Sequence, residues 1–357
     1  MARIETPVDP SAPLSRRHDL DWLRVFAFSL LIFYHIGMFY VSWPWHVKSA
    51  HAPVEWIETP MRLLNGWRLP LLFFISGVSV RYALAKTPPG PFMRRRLPRL
   101  LGPIAFGMLV VCAPQTWFEL SQAGLAPPDL ATFYVGYVSP PWASPDAWPM
   151  ITPTWNHLWY VVYVLAYTIV LAGVACSARA MRALDAAVAA AGRSPAIFFF
   201  LVVPAISAAH RLLTADSVGR AQTFWGDWHN LTGSFLVMTL GFAMARAEPL
   251  WAALSRLRWA SLAVCVVLSA LILVDGWRDD APGWAYALVR LFQGFTSIWA
   301  LLGFARLLLD RPSPALAYLS GAVFAYYILH KTIIIAVGAP LTRTGTPLWA
   351  EAGLIVA

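Results

Sequence analysis

Charge is scarce in this chain. Asp, Glu, Lys and Arg supply 13% of its 357 residues, about half the share of an ordinary soluble domain. With 59% hydrophobic residues, there is too little polar side chain to clothe a water-soluble globule, and the composition reads as membrane protein. Cysteine is sparse as well. Cys112, Cys176 and Cys265 lie in three different apolar runs, without paired spacing and without histidines at metal-ligand offsets, so neither a disulfide framework nor a structural zinc site is expected. They are expected to act as small buried hydrophobes. Also missing are a phosphate-cradling glycine loop, a Gly-x-Ser-x-Gly elbow, a zinc-protease helix motif and any internal repeat. The longest polar stretch, roughly 119–154, is too short for a separate catalytic domain. Any chemistry must then occur inside the apolar segments or at their rims.

Those segments are plentiful. Long apolar runs recur over 20–41, 61–85, 99–118, 155–176, 195–213, 231–247, 258–275, 284–308, 314–337 and 347 to the end. Nearly all are long enough to cross a hydrocarbon core of ~30 Å as a helix. The expected fold class is all-α, a polytopic transmembrane bundle of about ten helices. A disordered cytoplasmic tail is expected over 1–19 and a single transmembrane domain over 20–357. The tenth run is too short to span, so the chain either stops inside a helix or continues beyond Ala357. No cleavage site follows the first run, which is expected to be retained as an anchor.

The 27 basic and 18 acidic residues give a net charge of +9, and their positions explain it better than nucleic acid does. Arg16 and Arg17 precede the first run. Lys86, Arg94, Arg95, Arg96 and Arg99 follow the second, Arg179, Arg182 and Arg193 the fourth, Arg246, Arg256 and Arg258 the sixth, and Arg306 and Arg311 the eighth. Basic residues therefore alternate sides as the spans require, which places the N-terminus in the cytoplasm. No nucleic-acid partner is expected; the partner surface is lipid.

Ionisable residues inside such runs are the functional candidates. Arg24 and His35 share the first run, eleven positions or about three helical turns apart, so they face the same way. From an inside start, Arg24 lies near the cytoplasmic face and His35 about 16 Å deeper. Asp21 stands one turn from Arg24 and is a candidate ion-pair partner. His330 enters the ninth run to a depth close to that of His35, and His157 opens the fourth from the outside, in Trp155-Asn156-His157-Leu158-Trp159. Three imidazoles converge if their helices are neighbours. In Phe92-Met93-Arg94-Arg95-Arg96-Leu97-Pro98-Arg99, Arg96 and Arg99 share one helical side, suited to phosphate, to anionic lipid or to simple positive-inside charge. Arg68 opens the second run and either holds a substrate anion or snorkels to the interface, while Ser76-Gly77 reads as a close helix contact rather than a nucleophile. Trp43, Trp45, Trp56, Trp142, Trp148, Trp155, Trp225, Trp228, Trp277 and Trp284 crowd the outer loops, as an aromatic belt or a sugar-stacking vestibule.

Five pieces in order resemble the integral membrane acyltransferase 3 family, within it the glucan biosynthesis protein C succinyltransferase branch: Asp21-Trp22-Leu23-Arg24 with His35, Arg68-Leu69-Pro70-Leu71-Leu72-Phe73-Phe74-Ile75-Ser76-Gly77, Arg96-Leu97-Pro98-Arg99, His157-Leu158-Trp159-Tyr160 and Tyr326-Tyr327-Ile328-Leu329-His330. The resemblance implies transfer of an acyl group, acetyl or succinyl, from cytoplasmic acyl-CoA to a hydroxyl of an extracytoplasmic carbohydrate or glycan, in a bacterial inner membrane. It implies that His35 is catalytic with Arg24 as its companion, and that Arg96 and Arg99 meet the donor. Arg68, His157, Trp159 and His330 are the expected substrate-binding residues. Acyl-CoA is a co-substrate, no permanently bound cofactor is expected, and a homodimer is left open. His35 suits either general-base or acyl-carrier chemistry. The rival reading is a proton-coupled transporter or flippase for an anionic amphiphile.

Overall fold

The computed structural model describes residues 16–139, 152–217, 224, 226–274 and 282–357. Among them the regular structure is helical, with no strand: α1 (His18–Tyr40), α2 (Glu55–Asn65), α3 (Arg68–Lys86), α4 (Pro89–Phe106), α5 (Cys112–Gln122), α6 (Leu130–Val138), α7 (Trp159–Ala175), α8 (Ala178–Ala191), α9 (Pro195–Ile197), α10 (Val203–Leu213), α11 (Trp228–Met244), α12 (Glu248–Leu273), α13 (Gly283–Leu308), α14 (Pro314–Leu341) and α15 (Leu348–Val356). In lipid only structures that satisfy every backbone donor and acceptor internally can span, which selects helices for these sequences.

Eight helical runs are long and apolar enough to cross a membrane, fewer than the ten expected. Of the two others, α11 has 17 residues and α15 has nine. Hydropathy marks both as apolar, but it does not distinguish a spanning helix from one buried against its neighbours. α15 packs on α14 and α1, with Glu351 buried and accepting a hydrogen bond from Ser49 at 2.8 Å. The first helix starts at His18 rather than at residue 20, and Asp19 is wholly buried against Arg17 at 2.6 Å; residues 1–15 of the expected tail lie outside the described residues. The third run is longer than expected, a continuous helical stretch over Pro89–Gln122.

That stretch shows how local sequence shapes the bundle. Pro114 in α5 lacks an N–H and crowds the carbonyl four residues back, and the helix widens into a π segment over Gly107–Val111 just before it. Carbonyls there gain outside partners. Tyr137 donates to Met108 at 2.8 Å, Tyr134 to Leu109 at 2.7 Å and Thr332 to Val111 at 2.7 Å. A second π segment, Phe198–Val202, precedes Pro204, and Phe199 there accepts from Trp299 at 3.2 Å.

Glycine sets the closest crossings. Gly77 of α3 lies against the backbone of Met238 and Phe242 in α11, and Gly241 of α11 against that of Phe74 in α3, so a side chain on either would strike main chain. This assigns Gly77 to packing, as the small-residue step predicts. Phe74, Trp251 and Trp299 fill the core beside this crossing. The outward surfaces of the spans stay apolar, as in Phe33, Leu201, Val267 and Ile333, which suits a lipid solvent. Of the cysteines only Cys112 is buried; Cys176, at the end of α7, is exposed and Cys265 half-buried, because a helix end and a lipid-facing stripe are as apolar in sequence as a core.

Candidate active site

α1 packs against α14, α13 and α3, and this places His35 beside His330. His35 Nδ1 and His330 Nε2 are 2.7 Å apart, with the rings nearly parallel and 5.0 Å between centroids. His157 approaches from the turn before α7, its centroid 5.2 Å from that of His330. The three imidazoles picked out by depth therefore meet at His330.

Their hydrogen bonds fix the tautomers. His330 Nδ1 faces the carbonyls of Tyr327 at 2.7 Å and Tyr326 at 3.2 Å; a carbonyl only accepts, so this nitrogen carries the proton. In the neutral ring His330 Nε2 is then an acceptor, and His35 Nδ1–H donates to it. His35 Nε2 is left with the lone pair, which is the form a base needs. His157 Nε2–H donates to the Ile328 carbonyl at 2.9 Å, and Tyr327 donates to the His157 carbonyl at 2.6 Å, so His157 braces α14 with both its ring and its backbone.

A cavity of about 550 Å³ opens here, lined among others by Tyr34, His35, Trp45, Arg68, His157, Trp159, Tyr160 and Lys331. Its size fits a small-molecule site. Trp45 lies 6.3 Å from His35 in a stacked arrangement. Arg68 is 2% exposed, which rules out snorkelling. Its guanidinium lies 3.8 Å from the Tyr34 ring centroid, and its Nε and Nη1 are buried without hydrogen-bond partners. A buried cation with no carboxylate beside it among the described residues is costly unless an anion arrives to pair with it.

Sequence reasoning missed Lys331. It is 5% exposed in α14, and its ammonium donates to Asn156 Oδ1 at 2.7 Å and to His46 Nε2 at 2.7 Å. His46 in turn meets the Glu119 carboxylate through Nδ1. With Lys331 as an ammonium, which cannot accept, His46 is neutral, donating from Nδ1 to Glu119 and accepting at Nε2. Burial and the Lys331 charge accordingly push the His46 pKa down, against the opposing pull of Glu119. Asn156 holds its position with φ 41°, a left-handed conformation that Asn tolerates better than most residues, and its amide donates to Gln115 Oε1 at 2.8 Å. A lone Lys inside an apolar run was the available signal, and it stands directly after His330.

The arginine pole is built separately. Arg24 donates to Ser79 at 2.9 Å and pairs with Asp21 at 3.2 Å, the i,i+3 pair expected from sequence, and it makes no contact with His35. Arg96 feels the charges of both Arg24 and Arg99, so three guanidiniums cluster there. Arg96 Nε is buried without a partner, whereas Arg99 is exposed. Tyr160 joins the poles. Its hydroxyl hydrogen-bonds Ser76 at 2.8 Å and lies in range of Arg24 and Arg96, while its side chain also lines the His35 cavity. Of the outer-loop tryptophans, Trp45 lines this cavity and Trp43 an adjoining one that shares Tyr34, whereas Trp56, Trp228 and Trp284 are exposed. Trp142, Trp148, Trp225 and Trp277 lie outside the described residues.

The acyltransferase 3 family model, described as an acyltransferase domain, matches residues 17–357. The chain is 23% identical over 348 residues to the glucans biosynthesis protein C of Salmonella typhi and to that of Salmonella typhimurium, and 22% identical to that of Salmonella heidelberg. Each alignment covers 93% of this chain and 86% of the relative. No solved structure matches. The chain is thus an acyltransferase with membrane-spanning helices, a member of the acyltransferase 3 family.

Proposed function

We propose that this acyltransferase moves an acyl group from cytoplasmic acyl-CoA to a hydroxyl of an extracytoplasmic carbohydrate or glycan in a bacterial inner membrane. The observation that carries the reading is the cavity in which His35 presents an unprotonated Nε2 while Tyr160 in its wall reaches the arginine cluster. A hydroxyl attacks poorly until a base removes its proton, and a neutral imidazole suits that task. Arg96 and Arg99 hold the phosphates of the donor, since guanidinium groups match phosphate oxygens. Arg24, placed beside them, belongs with the donor rather than at His35. Trp45, Trp159 and His157 line the acceptor's approach, and His330 orients the base. Sugar as acceptor is supported by the printed name of the relatives, glucans biosynthesis protein C. Arg68 favours succinyl over acetyl, because only a carboxylate-bearing acyl group brings the anion its buried guanidinium lacks.

His35→Ala is expected to lower acyl transfer by about 10²- to 10⁴-fold, the range of general-base catalysis, with normal amounts of folded protein in the membrane. Release of CoA by the purified chain and mass spectrometry of glycans from complemented cells measure it; unchanged acyl content would remove His35 from the mechanism. Consumption of acyl-CoA also separates this reading from a proton-coupled transporter, which has no reason to cleave the thioester.

A further inference from the structure

Among the charged groups of the cavity, the ammonium of Lys331 is held most firmly. Two of its three N–H bonds are spent on His46 Nε2 and Asn156 Oδ1, both at 2.7 Å; the third has no partner among the described residues, and the side chain lines the His35 cavity. Both partners are anchored in turn, His46 by Glu119 and Asn156 by Gln115. Gln115 donates to Thr332 at 2.6 Å, so the network closes on the helix that bears Lys331. Lys331 and His35 also share Trp45, whose indole centroid is 5.8 Å from the ammonium and 6.3 Å from the His35 ring. A buried ammonium needs only enough acceptors to be satisfied. Here a chain of five residues aims it, and the aim leaves one donor toward the cavity. Preorganised donors of this kind stabilise charge that appears only in the transition state.

Resting on the acyl-transfer reading, we infer that Lys331 is a catalytic residue that donates its third N–H to the oxyanion formed at the thioester carbonyl. The acceptor hydroxyl oxygen bonds to the carbonyl carbon while His35 Nε2 takes the hydroxyl proton. The π electron pair of the C=O bond moves onto oxygen, where the Lys331 N–H meets it. Collapse re-forms the C=O bond and breaks the C–S bond. The CoA thiolate leaves and receives the proton held by His35, so acyl-CoA and alcohol give ester and CoA thiol, and both side chains return to their starting states. Lys331 moves no proton; it supplies charge and one hydrogen bond.

The test uses the full chain in lipid nanodiscs. Lys331→Met is expected to lower kcat by about 10²- to 10³-fold, the effect of removing one oxyanion donor. Affinity for a non-cleavable thioether analogue of the acyl-CoA should stay within about twofold, while affinity for a phosphonate analogue of the tetrahedral intermediate falls in step with kcat. A merely structural lysine would weaken both analogues alike, and that result would overturn the inference. So would a loss seen with succinyl-CoA but not with butyryl-CoA, which would make Lys331 a partner of the acyl carboxylate instead. Should Lys331→Met fold poorly, Lys331→Arg retains a cation and donors of different geometry; it is expected to lose kcat and phosphonate affinity together while keeping thioether affinity, and wild-type values in both would equally overturn the assignment. If the wild-type protein itself releases no CoA, the acyl-transfer reading falls and this inference with it. A normal wild type beside a normal Lys331→Met rejects Lys331 alone.

Discussion

At the scale of single residues, proton positions decide what each group can do. His330 Nδ1 has only carbonyl partners, and with a neutral His330 ring this propagates through Nε2 to leave the lone pair on His35 Nε2. The same logic runs through the Lys331 network, where an ammonium beside His46 Nε2 requires a neutral ring. Its consequence for pH has a definite sign. Burial and Lys331 lower the pKa of His46 below its ordinary 6.5, so between the two values the unfolded chain binds a proton that the folded chain refuses. The stability contributed by neutral His46 is fully present above about pH 6.5 and is lost as pH falls through the lower folded value. The melting temperature in nanodiscs is expected to fall on acidification below pH 6.5, and His46→Gln should flatten that slope. An equal slope in the variant would assign the acid sensitivity to other groups.

At the scale of helices, small residues and prolines set the distances that the site depends on. Gly77 and Gly241 bring α3 and α11 into backbone contact, and α3 carries both Arg68 and Ser76. Gly77→Ala or Gly241→Ala is expected to cost about 1–3 kcal/mol through overpacking, seen as a lower melting temperature. Because a methyl there meets main chain rather than a flexible side chain, repacking cannot absorb it. The π segment ahead of Pro114 works differently. It turns the Val111 carbonyl to Thr332 and sets Gln115 beside Asn156, which links α5 to the helix of His330 and Lys331. The two short helices α11 and α15 belong to the same lesson. Hydropathy marked both as apolar at close to their observed lengths, 17 residues for α11 and nine for α15, and only the fold shows what each packs against.

At the scale of the whole molecule, two poles share one polar axis through an apolar bundle. The cavity of His35, Arg68 and Lys331 and the cluster of Arg24, Arg96 and Arg99 meet at Tyr160. On the proposed reading, a donor with charged phosphates and a thin acyl-bearing arm can be gripped at one pole and react near the other. Replacing Arg96 and Arg99 together by Ala is expected to weaken acyl-CoA binding by tenfold or more, about 1.4 kcal/mol for each factor of ten. Acceptor affinity should be unchanged. Titration calorimetry with the thioether analogue checks it, and equal donor affinity would return both arginines to topology alone.

The sequence by itself determined the solvent and the cast of reacting groups. An apolar run of helical length has few alternatives in lipid, and an ionisable residue within it carries a desolvation cost that demands a reason, so His35, His157, His330, Arg68 and Arg24 were visible without coordinates. Depth along each run even placed three imidazoles in one layer. Only the tertiary structure decided which helices are neighbours, and with that everything depending on contact: the His35–His330 hydrogen bond across 295 positions, the separation of Arg24 from His35, the burial of Arg68 over Tyr34 and the bracing of Lys331 by His46 and Asn156. The physical reason is that hydrophobic patterning reports how much of a helix avoids water but not which surface it meets, because lipid and protein interior are equally apolar to it.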